Sequence, residues 1–458
     1  MQGNQAARRL GAWVFAVASL GGSCGGEKPP GSDDDGGTGA SGISGINLDT
    51  GSGGSEGIDS VGDETGDKFD VGTGNATESG GDCMGGGGGM GENTFSIIWI
   101  ANTPEGTVSK IDTKTGGELA RYYTGPTNGD DDPSRTAVNL EGDAAVSNRG
   151  GGIVKFASDP VRCIDRNANG MIDTSTGAGD VRPFGEDECM LWHKPTPVDG
   201  DNRHGPRPTA WDAGAGGDPC ATGDDRLWVG WYQFDANIGH FERLSGADGT
   251  TNDSVDVVMW DAIGDQADYG PYGGAVNAQG DLWTSGRSPG PLVRIDAVTL
   301  VVDRYEVPED TSPYGIAVDA EGHPWLADYD GGVLHFNPDT ETWDVIDTPN
   351  TARGRGIMID RTGSAWIAGN DPCALVQVDT ATRTLVSDTI ALPGCDDPVG
   401  ISIDVDGFVW VPDRGADLAF KVDPNTYAST TVTGLAAPYT YSDMTGAGLG
   451  LVVNPPAG

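Results

Sequence analysis

Arginine and tyrosine recur at one position of a pattern that repeats along the chain. Each stands directly before a short run of small and β-branched residues, and six such positions carry Arg135, Arg207, Tyr272, Tyr314, Arg355 and Tyr439. The seventh position carries Val399. A guanidinium group binds a carboxylate or phosphate through two parallel hydrogen bonds, and a phenol adds a stacking face and a hydroxyl. If the fold brings these side chains together, they suit an anionic or sugar-like ligand.

A second position of the same pattern carries Asn or Asp in four units. Asn102 and Asn148 are candidate ligand-binding residues, and Asp328 and Asp413 occupy the equivalent place in two other units. We expect all four to face the same entrance as the Arg and Tyr residues. His204 is the candidate general base there, and with Asp328 or Asp413 it forms the candidate catalytic set around a divalent ion. The chain contains no phosphate-loop or His-Glu-x-x-His motif that would indicate other chemistry.

One stretch has the spacing of a calcium-binding loop. Oxygen-bearing side chains stand at loop positions 1, 3, 5 and 9, Gly170 at position 6 allows the sharp turn, and position 7 can offer a backbone carbonyl. The candidate ligands are Asp165, Asn167, Asn169, Met171 and Asp173. Thr176 stands at position 12, where such loops have Glu. Two interpretations stay open, a structural calcium ion and an Asx-rich turn without an ion.

The elements that position these residues follow from a repeated motif, Gly-Ile-Ala-Val-Asp-x-x-Gly-x-x-Trp. Its Trp residues at 283, 325, 366 and 410 are 42, 41 and 44 residues apart, the period of a four-stranded propeller blade. Weaker copies raise the count to seven, with equivalent positions at Trp99, Ala145, Trp228, Trp283, Trp325, Trp366 and Trp410. The sequence therefore predicts an all-β, seven-bladed β-propeller over residues 95–458, with an insertion at about 159–206.

Ring closure and the channel entrance follow from this prediction. The first blade lacks an innermost strand, and residues 438–443 supply one at the other end of the chain. Such closure removes two open sheet edges. We expect the recurrent Trp residues to lie between the blades. We also expect the protein to be a monomer. The Arg and Tyr positions would meet at one end of the central channel, either as a ligand site or as a structural network paired with Asp328, Asp413, Asp396 and Asp397.

The N-terminal residues indicate export. Arg8 and Arg9 precede an apolar run at residues 10–20 that is too short to span a bilayer, so residues 1–23 are predicted to be a signal peptide. Small residues before Cys24 resemble a lipobox, which predicts lipidation of Cys24; simple secretion is the alternative. Residues 24–94 are rich in Gly, Ser and Asp and are predicted to be a disordered, acidic tether. The expected location is the bacterial cell envelope or the medium.

The other cysteines fit an exported protein. Six remain besides Cys24, and an even number in an exported chain indicates disulfides. Cys163 and Cys189 bracket the insertion, and Cys373 and Cys395 lie in one blade, so these are the preferred pairs. Cys83 and Cys220 remain by elimination.

The charge excludes some partners. With a net charge of −42 and 27 basic residues, the chain lacks the concentrated basic surface that nucleic acids and anionic lipids require. Membrane contact is therefore expected only through an N-terminal lipid. The ligand or surface partner itself is not identified, and no organic cofactor is expected.

The repeats resemble those of virginiamycin B lyase-like propellers and the related NHL-type repeats. The resemblance is clearest at residues 313–325 and 106–112 and covers roughly residues 95–452. The lyases open a cyclic depsipeptide by metal-assisted elimination, and membership would imply His and Glu around the channel entrance. Arg and Tyr stand there instead. The sequence thus favours a lipid-anchored binding protein for an anionic or glycan-like ligand or a protein partner; the alternative is a metal-dependent lyase or hydrolase.

Overall fold

The structure is a computed structural model that describes residues 95–212, 225–261, 269–287 and 290–456. Its strands form seven antiparallel sheets, one for each blade, and the innermost strands contact one another around a central channel. The predicted seven-bladed β-propeller is confirmed. The predicted signal peptide, tether and Cys24, and the remaining Cys83 and Cys220, lie outside the described residues.

The strands follow the chain from the inside of each blade to its rim. The first blade contains β1 (Ile97–Asn102), β2 (Thr107–Asp112) and β3 (Glu118–Tyr123). The second contains β4 (Pro133–Val138), β5 (Ala144–Asn148), β6 (Ile153–Phe156) and β7 (Met190–Lys194). The third contains β8 (Thr209–Asp212), β9 (Arg226–Gln233), β10 (Ile238–Ser245) and β11 (Thr251–Val258). The fourth contains β12 (Pro271–Val276), β13 (Leu282–Gly286), β14 (Leu292–Ile295) and β15 (Val302–Tyr305).

The last three blades are the most regular in sequence. The fifth contains β16 (Pro313–Val318), β17 (Pro324–Asp328), β18 (Gly332–Asn337) and β19 (Thr342–Ile346). The sixth contains β20 (Ile357–Ile359), β21 (Ser364–Asn370), β22 (Cys373–Asp379) and β23 (Thr384–Ile390). The seventh contains β24 (Ser402–Ile403), β25 (Val409–Asp413), β26 (Leu418–Val422) and β27 (Ser429–Thr433). Short 3₁₀ turns cover Thr103–Glu105, Pro160–Arg162, Ala178–Asp180 and Phe234–Ala236.

The repeated Trp holds each blade to the next. Trp325 is buried and packs with Ile357 and Ile359 of the following blade. Its indole nitrogen donates a hydrogen bond of 2.8 Å to Asp319, the Asp of the repeat motif. Gly322 between them has φ +91°, a conformation that L side chains rarely adopt, so the tight turn requires this glycine. The motif thus encodes the turn, the polar anchor and the apolar contact between blades.

The C-terminal segment closes the ring as predicted. Tyr439 donates its backbone N–H to the carbonyl of Ala101 at 3.0 Å, and Pro438 pairs with Asn102 in an antiparallel bridge. The Ala101 N–H donates to the Thr440 hydroxyl at 2.8 Å, where a regular strand pair would have a backbone carbonyl as the acceptor. The segment is therefore paired with β1 without being a regular strand.

A helix at the C-terminus was not predicted. α1 (Ala447–Val453) crosses the channel where the innermost strands end, and Leu449 and Val452 pack with Val276 and Val318. Burial of an aliphatic side chain of this size contributes about 1.5–3 kcal/mol. The helix therefore covers the channel end opposite to the Arg and Tyr positions, which precede or begin the innermost strands.

The cysteine pairs and the insertion were largely predicted. Disulfides join Cys163 to Cys189 and Cys373 to Cys395, with Cα–Cα distances of 4.3 and 6.3 Å. Within the predicted insertion, β7 is the outer strand of the second blade, so the excursion from the blade pattern is shorter than expected. Among the described residues, no helix has the length and apolar character needed to span a membrane.

Candidate functional site

The six predicted Arg and Tyr residues meet at one end of the channel. We call them, together with four others in contact, the Arg/Tyr cluster: Arg135, Arg207, Tyr269, Tyr272, Arg287, Tyr314, Tyr329, Arg355, Tyr439 and Tyr441. The repeat makes this convergence inevitable, because each innermost strand starts at the same end of the channel.

The inner members of the cluster fill the channel. The Tyr314 and Tyr439 hydroxyls, from the fifth and first blades, hydrogen-bond at 2.5 Å, and Tyr272 lies 3.4 Å from Tyr439. Arg207 donates to the Tyr441 hydroxyl at 3.4 Å. These side chains are buried. They form a floor across the channel, which agrees with the network alternative for these inner side chains.

Arg135 is charged and enclosed within this floor. It donates to the Tyr272 carbonyl at 3.2 Å and its guanidinium lies over the Tyr441 ring. Burial lowers the pKa of Arg135 to about 9, because removal from water penalises the charged form. The side chain therefore remains a cation at neutral pH.

The outer members form a partly exposed rim of Tyr269, Arg287 and Tyr329. The Arg287 guanidinium lies 4.9 Å from the Tyr269 ring centroid and 5.0 Å from that of Tyr329, and within 6 Å of Tyr272 and Tyr314. Such cation–π contacts offset part of the desolvation of a guanidinium. The rim combines one cation with two aromatic faces.

Carboxylates balance only part of the positive charge. Asp397 pairs with Arg355 at 3.1 Å and with Arg414 at 2.5 Å. Among the described residues, no carboxylate forms an ion pair with Arg135 or Arg287. The structural network suggested by the sequence therefore exists on the Asp397 side, and among the described carboxylates it does not extend to Arg135 or Arg287.

The side chains at the four Asn and Asp positions form hydrogen bonds with the loops that lead into the innermost strands. Asn102 accepts the Ala436 N–H at 3.0 Å, and Asn148 donates to the Thr124 carbonyl at 2.7 Å. Each contact lies in the equivalent loop of its blade. Ligand binding by these residues stays a prediction.

The two Asp positions hold the same loops through backbone N–H groups. Asp413 accepts from Asp396 and Asp397, each at 2.9 Å, and Asp328 accepts from Ser312 at 2.7 Å. Burial raises the pKa of Asp328, although the Ser312 N–H opposes this shift.

His204 lies beside the cluster, in the loop before β8. It is buried, stacks on Phe234 at 4.9 Å, and its Nδ1 hydrogen-bonds Asp199 at 2.7 Å. No hydrogen bond joins His204 to Asp328 or Asp413, all three of which the structure describes. Each of the three candidate catalytic residues thus hydrogen-bonds its own neighbouring loop and none of the other two. A catalytic role stays a prediction.

The predicted calcium loop is ordered by its own side chains and by Glu188. Asp165 accepts the Gly170 N–H at 2.9 Å, and Asp173 accepts the side-chain amides of Asn167 and Asn169 at 2.7 and 2.9 Å. Buried Glu188, which the sequence analysis did not single out, accepts the Asp173 N–H at 2.8 Å. The amide nitrogens of Asn167 and Asn169 face Asp173, as in an Asx-rich turn, and calcium stays a prediction.

Sequence reasoning missed three aromatic members of the cluster, Tyr269, Tyr329 and Tyr441. A signal existed for Tyr329, because it directly follows Asp328, as Arg414 follows Asp413 in the seventh blade. Tyr441 lies two residues beyond Tyr439 on the closing segment, where a strand residue points into the same channel. No repeat position identifies Tyr269.

Comparisons with known proteins concern the fold. No protein-family model matches the chain, and no curated protein sequence is significantly similar. Virginiamycin B lyase from Staphylococcus aureus is similar in structure, at 14% identity and a TM-score of 0.48 over 69% of this chain and 89% of that one. Apo AztD from Citrobacter koseri is similar at 14% identity and a TM-score of 0.47, over 76% and 96% of the two chains.

A further similar structure is BamB from Moraxella catarrhalis, at 11% identity and a TM-score of 0.42 over 75% of this chain and 89% of that one. Similarity at this level carries no conclusion about the function of this chain. The chain itself is a seven-bladed β-propeller, as its seven antiparallel sheets show.

Proposed function

We propose that this protein is an exported, lipid-anchored binding protein that recognises an anionic ligand, of the acidic-glycan class, at the rim of its Arg/Tyr cluster. The ligand carboxylate would pair with Arg287, and a sugar ring would stack on Tyr269 or Tyr329. Catalysis forms no part of this proposal.

The observation that carries the proposal is the environment of Arg287. A partly buried guanidinium that lacks a carboxylate partner among the described residues is costly, and tyrosine faces compensate only in part. A ligand carboxylate would complete the pairing by a bidentate hydrogen bond. Arg135 in the floor below adds positive potential from the same side.

The overall charge makes this local potential selective. On a chain with a net charge of −42, most of the surface repels an anion, so the cationic rim is the favourable place for one. The tyrosine faces add the stacking that distinguishes a sugar from a simple inorganic anion.

The proposed location agrees with the two disulfides, which are compatible with a protein outside the cytoplasm. Lipidation of Cys24 would attach the chain to a membrane and leave the propeller in the aqueous phase. Mass spectrometry of the native N-terminus tests the anchor separately from the ligand site.

Calorimetric titration tests the ligand site. We expect oligogalacturonate, an acidic glycan, to bind the full chain at low salt, and neutral maltohexaose not to bind. Arg287→Gln should weaken oligogalacturonate binding about 10- to 100-fold, the share of a charge-assisted bidentate contact. Arg361→Gln is the matched control, because Arg361 is an exposed arginine at the other end of the blades.

Three results would contradict the proposal. The first is an unchanged affinity in Arg287→Gln, and the second is equal binding of the neutral and acidic oligosaccharides. Failure of oligogalacturonate, phosphate and citrate alike to bind would remove the anion site.

A further inference from the structure

The blades share a pair of positions at the end of the channel away from the Arg/Tyr cluster. One position is two residues before the repeated Trp, where the second strand begins, and the other is on the third strand opposite that Trp. Five blades place contacting side chains there: Asp143 and Lys155, Asp281 and Arg294, His323 and His335, Ser364 and Gln377, Phe408 and Lys421.

The chemistry of the pair differs from blade to blade. Arg294 and Asp281 form an ion pair at 2.6 Å, Gln377 donates to Ser364 at 3.0 Å, and Lys421 lies 4.2 Å from the Phe408 ring centroid. Of these five blades, only the fifth has a metal-ligating side chain at each of the two positions. There, His323 Nδ1 and His335 Nε2 lie 3.2 Å apart.

A carboxylate completes the group in the fifth blade. Asp319, His323 and His335 each offer one ligand atom, and these atoms lie within 4.8 Å of one another. His335 is 1% exposed and Asp319 is 6% exposed. Two ligand atoms on a tetrahedral zinc ion are roughly 3.3 Å apart, given Zn–N bonds of about 2.0–2.1 Å. The observed separation of the two imidazole nitrogens is close to this value.

Neighbouring residues hold His335 and Asp319 through hydrogen bonds, as neighbouring residues hold the ligands of known metal sites. His335 Nδ1 hydrogen-bonds Asp344 at 3.0 Å, an arrangement that leaves the Nε2 lone pair directed at His323. Asp319 accepts the Trp325 indole N–H and the His323 backbone N–H, at 2.8 and 2.7 Å. The carboxylate and one imidazole are therefore held before any ion arrives.

A cavity gives access to the group. It has a volume of about 320 Å³ and is lined by Asp319, His323 and His335, with Glu321, Thr380 and Arg383 around them. This space admits an ion and a water molecule. Three protein ligands and an open fourth position are the arrangement in which zinc keeps a bound water.

We propose that Asp319, His323 and His335 form a zinc-binding site on the fifth blade, with water from the cavity as the fourth ligand. The site is independent of the Arg/Tyr cluster, because Tyr314 and Asp319 lie at opposite ends of the same innermost strand. Asp344 is a positioning residue that holds His335.

The seventh blade supplies a matched control. The double variant His323→Phe with His335→Lys installs the pair that the seventh blade uses with its own Asp404 and Trp410. This variant keeps a pair that the same fold already accommodates and removes both imidazoles. We expect circular dichroism and thermal unfolding to show a folded propeller.

The test is titration of the chelator-stripped full chain with Zn²⁺ in competition with a chromogenic chelator. We expect the wild type to bind one more equivalent than the double variant, and Asp344→Asn to bind that equivalent about 10- to 100-fold more weakly. Co²⁺ should give the intense visible absorption of a tetrahedral site in the wild type alone.

Equal zinc stoichiometry and affinity in the wild type and the double variant would overturn the site. If the double variant does not fold, the wild-type cobalt spectrum decides: absence of tetrahedral absorption overturns the proposal, and its presence with loss in His335→Gln supports it. Gln is the residue that the sixth blade has at this position.

Discussion

The two ends of the central channel are built from the same innermost strands but differ in chemistry. At one end, Arg and Tyr side chains from opposite blades meet and form a polar floor with a cationic rim. At the other, α1 covers the channel with Leu449 and Val452. The helix covers the apolar end and stabilises the fold there. The partly exposed guanidinium of Arg287 lies at the Arg/Tyr end. The same strands therefore end in a cationic, partly exposed rim on one side and in a helix-covered apolar plug on the other.

The largest expected effect is at the helix end. Leu449→Ala removes a buried side chain and leaves a cavity between α1 and the strands, so the free energy of unfolding should fall by about 2–5 kcal/mol. Urea denaturation measures this change. Val298→Ala, at a position that is 82% exposed, is the control and should change stability by less than about 0.5 kcal/mol. Equal effects of the two would mean that α1 does not stabilise the ring.

An intermediate effect is expected at the floor. Tyr439→Phe removes the hydroxyl that contacts Tyr314 and Tyr272, and leaves each of these two buried hydroxyls with one partner fewer. We expect a loss of about 1–2 kcal/mol in urea denaturation. Tyr427→Phe removes an exposed hydrogen bond to Gln377 and should cost less. A larger loss in Tyr427→Phe would contradict a floor held by its hydroxyl contacts.

The smallest effect is a pH dependence at the start of α1. Burial raises the pKa of Asp443 to about 6, although backbone N–H groups of Leu449 and Thr445 oppose the shift. Because the folded-state pKa lies above the unfolded value, Asp443 contributes stability that is present below about pH 4 and is lost as the pH rises through about 6.

The measurement is the stability difference between the wild type and Asp443→Asn at several pH values. We expect the wild type to gain relative to the variant as the pH falls from 7 to 4. The change should be about 1 kcal/mol or less, since the backbone N–H groups of Thr445 and Leu449 stabilise the ionised carboxylate and oppose the effect of burial. A constant difference across this range would show that Asp443 does not titrate there.

The regular parts of the fold could be predicted because the residues that determine each blade lie within one repeat of the sequence. The motif around Asp319 and Trp325 contains the turn glycine, the indole anchor and the alternating strand, and these set the register without help from distant residues. The same regularity located the Arg and Tyr positions. The pairing of Cys163 with Cys189 was equally accessible, because both residues bracket one excursion of a single blade.

Contacts between distant segments could not be predicted. α1 has the sequence Ala-Gly-Leu-Gly-Leu-Val-Val, which is short and glycine-containing, so its intrinsic helix propensity is poor. It forms where burial of Leu449 and Leu451 against several blades compensates. Local pattern analysis has no access to that burial.

The sequence by itself determined the number of blades, the Trp residues that pack between them and the types of side chain at the Arg/Tyr end of the channel, because these properties repeat from blade to blade. Only the tertiary structure decided that Tyr314 and Tyr439 meet across the channel and that Arg287 lies at the rim. Each of these contacts depends on the relative placement of strands or turns. Ring closure and blade packing set that placement, and no single repeat encodes it.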